Sequence, residues 1–189
     1  MKLNFLLITL LAATISRTAL AGDTTALQLI KRGDEYVGVQ SKGKVVQIRS
    51  EKSIASLTPN IWYVVYYDPD ATFKATEVKF GAGEKMDVSR PWRVIEVVMD
   101  QDKVMNQAKL KIDSDKAIKI ATKQPLLSNL TLKATQLRLQ NADTGPQWQV
   151  KLWAAKLKHP NDDADIGTVT LSATDGSVIK TDLHPNSVD

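Results

Sequence analysis

Cysteine is absent from this chain of 189 residues. The protein therefore has no disulfide staple and no attachment to lipid through a cysteine, and it must hold together by its core. Histidine is nearly absent. His159 and His184 are the only two, each is followed by proline, and no His-Glu-x-x-His occurs. Zinc needs three or four converging ligands, so neither histidine reads as a metal ligand. Charge of one sign is also lacking. Lysine and arginine number 25 against 21 acidic residues. Such a balance is no footprint for nucleic acid, which requires a clustered basic face. Beyond residue 21 no apolar run is long enough to cross a membrane.

The N-terminus has a different character. Lys2 precedes an apolar run from Leu3 to Ile15, and the small-residue triplet Ala19-Leu20-Ala21 follows. Charge, apolar core and small residues at −3 and −1 form the order of a secretory signal peptide. The run is shorter than the ~20 residues that a spanning helix needs. The expectation is a signal peptide over 1–21, a mature start at Gly22, and a soluble exported protein, periplasmic or secreted, with no stable membrane insertion. Removing Lys2 and Arg17 lowers the net charge from +4 to +2.

The remaining chain has one plan, used twice. GTVTLSATDGSVIKTDL, Gly167 to Leu183, alternates polar and apolar residues around an Asp-Gly turn, the mark of a hairpin with one wet face. A three-residue loop sets Leu171 opposite Ile179, Val169 opposite Thr181, Thr170 opposite Lys180 and Thr168 opposite Asp182. TEVKFGAGEKMDVSR obeys the same rule, with Phe80 opposite Met86, Val78 opposite Val88 and Lys79 opposite Asp87. Before each hairpin lies a strand beginning Trp-x-Val, at Trp62 and at Trp148. Further upstream, VVQIRS and LTLKATQLRL read as one more strand each. A helix precedes each of these. Asp113 or Ser114 caps DSDKAIKIATKQP, with Ala117, Ile118 and Ala121 on one stripe and Pro125 as the stop. TTALQLIKRGDEYVGVQ places Leu29, Ile30, Gly33, Val37 and Gln40 at helical spacing, although Gly33 and Gly38 weaken a helix.

The order helix with an Ala-Ile-x-x-Ala stripe, strand starting Trp-x-Val, then Ala-x-Asp-Gly, resembles the PepSY domain. Ala117, Ile118, Ala121, Trp148, Val150, Ala173, Asp175 and Gly176 carry the likeness in the second unit. Trp62, Val64, Ala82 and Gly83 carry a diverged one in the first. The resemblance implies an α+β fold of two tandem PepSY-like units over 22–100 and 108–189, each a helix packed on a small antiparallel sheet, with the joint near Asp100 to Gln107. Domains of this kind occur in propeptides of secreted metallopeptidases and in exported proteins. The family has no catalytic residues, and peptidase inhibition is its proposed activity.

Other motifs are weaker than their bland alternatives. GVQSKGKV, Gly38 to Val45, has phosphate-loop spacing but ends in Val45 where a magnesium-binding hydroxyl belongs. Two Ser-x-x-Lys matches, at Ser41 and Ser177, lack partner motifs. Asp162, Asp163 and Asp165 gather in NDDADIG, which departs from the EF-hand pattern and reads as a solvated acidic loop. Asn129-Leu130-Thr131 is a glycosylation sequon that matters only in a eukaryotic secretory path.

The most informative residues lie on the second face of the Trp strands. Ile61, Tyr63, Val65 and Tyr67 are all apolar or aromatic, and Trp153 and Ala155 continue this in the second unit. A sheet apolar on both sides must be covered twice, either within the chain, for instance by Trp92-Arg93-Val94-Ile95, or by a partner. The expectation is an exported, non-catalytic binding module without cofactor or metal. Its candidate partner face is Tyr63, Val65, Tyr67 and Trp153, and its partner is a protein, with a secreted peptidase as one candidate. Two alternatives stand beside it: a carboxylate-dependent envelope hydrolase using Asp68, Asp70 or Asp163, and a purely structural envelope protein.

Overall fold

A computed structural model describes residues 24–91 and 104–189. The signal-type segment 1–21, the segment Trp92-Arg93-Val94-Ile95 and the first part of the joint, 100–103, lie outside the described residues. Within them the chain forms two α-helices and eight strands: α1 (Ala26–Gly33), β1 (Val45–Ser50), β2 (Ile61–Tyr67), β3 (Ala75–Gly81), β4 (Glu84–Ser89), α2 (Ser114–Ala121), β5 (Leu132–Ala142), β6 (Gly145–Ala155), β7 (Asp163–Ser172) and β8 (Val178–Leu183). The strands make one antiparallel sheet in the order β4-β3-β2-β1-β5-β6-β7-β8.

This corrects the expected two tandem units, each with its own small sheet. The reason lies in the edges. The first strand of each half, β1 or β5, would expose a row of unpaired amides and carbonyls if its half stood alone. The two strands satisfy one another instead, through Gln47 opposite Gln140, Ile48 opposite Leu139 and Arg49 opposite Arg138. Past Arg49 the seam is sewn by side chains. Ser50 Oγ accepts the Leu137 amide at 2.9 Å, and Ser53 Oγ accepts the Thr135 amide at 2.9 Å.

All the main core lies on one face. Trp62, Val64, Val78 and Phe80 from one half join Leu137, Leu139, Trp148, Val150, Val169 and Leu171 from the other. α1 adds Ala26, Leu29 and Ile30, while α2 adds Ala117, Ile118 and Ala121. Each fully buried aliphatic side chain contributes about 1.5–3 kcal/mol. Both tryptophans satisfy their indole N–H groups, on Pro59 O at 2.9 Å and Ile112 O at 2.8 Å.

Gly33 ends α1 for a packing reason. A Cβ added there would lie 2.2 Å from Tyr66 Oη. That hydroxyl sits against the helix and donates to Ile30 O at 2.9 Å. The helix stops at Gly33 and does not reach Val37 or Gln40 as the spacing suggested. The helix starts meet one another. Asp113 Oδ1 accepts both the Ser114 amide of α2 and the Leu27 amide of α1, and Ser114 Oγ accepts the Ala26 amide.

The hairpins keep the expected register away from their turns and lose it near them. Val78 faces Val88 and Val169 faces Thr181, but a bulge follows Lys79 and its counterpart Thr170. Phe80 therefore faces Lys85 rather than Met86, and Leu171 faces Val178 rather than Ile179. At the first turn Ala82 and Gly83 both take positive φ, 49° and 82°, which closes a two-residue loop.

The ladders also relate the halves to each other. Ser50 pairs with Trp62 and Ile48 with Val64, as Leu139 pairs with Trp148 and Leu137 with Val150. Arg49 is thus the counterpart of Arg138, and the two are direct cross-strand partners. A pseudo-twofold axis runs between them.

Candidate functional site

The face opposite the helices carries the residues singled out from sequence; it is buried around Val65 and Val46, and no described helix or strand covers it around Tyr63, Arg138 and Trp153. Strand alternation places Lys79, Tyr63, Arg49, Arg138, Gln149, Thr170 and Lys180 in one row across the sheet. Beside it Gln136, Lys151 and Thr168 form a second row.

Tyr63 is half-buried and held on several sides. The Arg49 guanidinium lies 3.9 Å from the centre of its ring, and Lys79 Nζ lies 5.1 Å from it. Its hydroxyl donates to Glu51 at 2.5 Å. That bond first, with Lys79 and Arg49 adding their charge, outweighs burial and holds the Glu51 carboxyl below its ordinary range. Arg49 continues outward to Glu77 at 2.5 Å. A guanidinium stacked on an aromatic face and paired to a carboxylate is a rigid arrangement.

Trp153 sits on the far flank in a similar setting. Lys52 Nζ is 4.9 Å and Lys151 Nζ 5.2 Å from its ring centre. Each lysine has its own carboxylate, Lys52 on Asp163 at 2.6 Å and Lys151 on Asp165 at 2.7 Å. Gly167, at φ 106°, allows the bulge that puts Asp165 opposite Trp153. A Cβ there would come within 2.1 Å of Asp182 O. Burial disfavours the charged form of Asp165, but Lys151 and the Gly167 amide prevail and lower its pKa. The expected acidic loop is therefore the start of β7, with two of its three aspartates committed to lysines.

Val65 and Tyr67 behave differently from Tyr63. Val65 is fully buried, packed with Val46 and Ala75 in a small second cluster that Tyr67 and Val104 border. A bulge between Val45 and Gln47 turns Val46 to this side. The chain itself covers Val65, which leaves Tyr63, Tyr67 and Trp153 as the half-exposed aromatics.

Beside the pseudo-axis, mainly over the second half, the surface dips. A hollow of about 260 Å³ is lined by Arg49, Ser50, Gln136, Leu137, Arg138, Gln149, Lys151 and Thr168. The two halves differ sharply here. Tyr63 corresponds to Gln149 and Glu77 to Thr168, so Arg138 has neither the ring nor the carboxylate that occupy Arg49. No carboxylate lines the hollow among the described residues. Sequence reasoning did not find Arg138. The signal was present only as two arginines on the wet face of corresponding strands.

The carboxylates considered for hydrolysis do not converge. Asp68 follows the last residue of β2, at the Tyr67 end of the sheet, whereas Asp163 opens β7 at the opposite end. Asp68 is buried. Burial disfavours its charge, yet the Thr76 hydroxyl at 2.6 Å, the Asp70 amide and Arg90 hold its pKa down. Asp70 is exposed in the adjoining turn. Among the described residues no three His, Asp or Glu side chains gather at metal-binding spacing, and no helix is long and apolar enough to cross a membrane. The His184 imidazole lies 3.4 Å from the Asp182 carboxylate. Gly43 of the phosphate-loop look-alike sits at φ 72° in a turn leading into β1, with its amide on Asp34.

No protein-family model, curated protein or solved structure matches this chain, and none identifies a PepSY-like domain in it.

Proposed function

We propose that this chain is an exported, non-catalytic binding module that engages a protein partner through the sheet face opposite its helices. The observation that supports this most is the pair of half-exposed rings, Tyr63 and Trp153, each fixed by two cations where no described element covers the face. Tyrosine, tryptophan and arginine are the residues that anchor protein interfaces, and rings already held in place lose little entropy on binding. The signal-type pattern in residues 1–21 supports export. A secreted peptidase is the partner class to test first.

The test is a crosslinking pull-down from envelope and secreted extracts of the native host, run with the wild type and a Tyr63→Ala/Trp153→Ala variant. One protein enriched by the wild type and lost by the variant, with both chains folded by far-UV circular dichroism, supports the reading. Equal capture by both overturns it.

A further inference from the structure

We propose that the hollow beside the pseudo-twofold axis, over the second half, is a recognition site for a single carboxylate, an Asp or Glu side chain presented by the protein that docks on this face. The inference rests on the binding-module reading and adds the chemistry of the partner.

Charge bookkeeping across the hollow singles out one group. Three cations line it, but two are already matched. Arg49 leans toward β3 and pairs with Glu77 at 2.5 Å, and Lys151 leans toward Trp153 and pairs with Asp165 at 2.7 Å. Arg49 and Arg138 are like charges directly opposite one another, an arrangement that costs stability. Arg49 is turned aside by its own carboxylate, and this leaves space beside the axis. Arg138 is exposed and has no carboxylate partner among the described residues. Its counterpart Arg49 shows what the site lacks: a carboxylate at the place where Thr168 stands for Glu77. The partner supplies that group.

The remaining lining suits it. Gln149 brings an amide group and Thr168 a hydroxyl, and Gln136 keeps one amide hydrogen beyond the one it gives to Ser50 O, so a carboxylate on the Arg138 fork finds donors for its other lone pairs. One unmatched positive charge complements one carboxylate. A phosphate monoester, with nearly two negative charges, would leave part of its charge unmatched here. Tyr63 and Trp153 lie on either side of the seam, outside the hollow's lining, where a docked partner would reach them as well.

The experiment uses the purified protein labelled with nitrogen-15, following the arginine Nε–Hε resonances during titration with an acetylated hexaglutamate peptide. Hexaglutamine and inorganic phosphate are the controls. The expected result is a saturating shift of Arg138 by hexaglutamate at millimolar concentration. Read in both proteins through the side-chain amide resonances of Gln136 and Gln149, binding should weaken about tenfold or more in Arg138→Gln, since charge-assisted hydrogen bonds are lost. Arg138→Glu, exposed and so expected to fold, should reverse the preference toward hexalysine. Three results overturn the proposal: no shift of Arg138, an equal response to hexaglutamine, or a stronger response to phosphate than to hexaglutamate. The captured partner separates this inference from the reading beneath it. If Arg138→Gln keeps the partner while Tyr63→Ala/Trp153→Ala loses it, the hollow is not the partner's site and the docking face stands. If the double variant keeps the partner while hexaglutamate still shifts Arg138, the hollow binds carboxylates and the docking face is refuted.

Discussion

Asp113 and Leu27 lie 86 residues apart, and the carboxylate of one accepts the amide of the other at 3.0 Å. The same oxygen accepts the Ser114 amide at 2.7 Å, so one side chain caps the starts of both helices. A helix start leaves amides unsatisfied and carries a partial positive charge, and a carboxylate answers both needs. The two halves are thereby tied at their helices as well as at the β1–β5 seam. Asp113→Ala should lower unfolding free energy by about 1–2 kcal/mol, read from urea denaturation, which is more than a single cap often gives. A loss below about 0.5 kcal/mol, at the floor for a cap, would mean the shared bond contributes nothing.

Gly33→Ala tests whether packing or propensity rules the end of α1. Helix propensity alone expects a gain of up to about 1 kcal/mol. The 2.2 Å approach of the new Cβ to Tyr66 Oη expects instead a loss of about 1–3 kcal/mol, as in overpacked cores. Tyr66→Phe removes the clashing oxygen together with its bond to Ile30 O, so it should recover part of the loss when combined with Gly33→Ala. Thermal or urea unfolding of the three variants decides the sign.

Tyr63 and Val65 are two residues apart on one strand face and should respond in opposite ways. Val65 is fully buried, so Val65→Ala should cost stability, about 1–2 kcal/mol for two lost methyl groups, and leave partner capture intact. Tyr63 is half-exposed, so Tyr63→Ala should affect capture more than stability. Urea midpoints and capture yields measured side by side check this. The reverse pattern would place the interface elsewhere.

Acid should weaken the fold through three carboxylates. Asp68, Glu51 and Asp165 all have pKa values below their ordinary range in the folded chain. Below their unfolded values of about pH 4 the unfolded chain takes up protons that the folded chain resists. Their contribution is therefore complete above that pH and is lost as pH falls through the folded values. Unfolding free energy followed from pH 7 to pH 2.5 should decline below about pH 4, and the decline should be shallower in Asp68→Asn.

Much of the local structure was legible in the sequence, and the assembly was not. Strict alternation in Gly167–Leu183 exposed the hairpin, and Val169, Thr170 and Thr168 keep the partners that alternation assigned. The bulge beyond Thr170 was hidden because one extra residue in a turn leaves no mark on hydrophobic pattern. Gly33 was legible as a helix weakness, but its cause, the Tyr66 hydroxyl, lies on another element. The single sheet was the largest miss. Pairing of Arg49 with Arg138 is a contact between distant strands, and nothing in either strand's periodicity names its neighbour. For the site, Tyr63, Tyr67 and Trp153 were visible as surplus aromatics on a wet face, while Val65 is covered by Val46, which a bulge in β1 turns around. Arg138 escaped notice because its significance is comparative and appears only once the ladders align it with Arg49.

The most direct measurement is face-specific photocrosslinking. Benzoylphenylalanine is placed either at Gln149, on the sheet face opposite the helices, or at exposed Lys31, on α1, and both proteins are irradiated with the partner isolated by capture. A discrete adduct from Gln149 that is absent from Lys31, and that disappears when Tyr63→Ala/Trp153→Ala is added, is the expected result. An adduct from Lys31 alone would place the partner on the helical side and contradict the docking face.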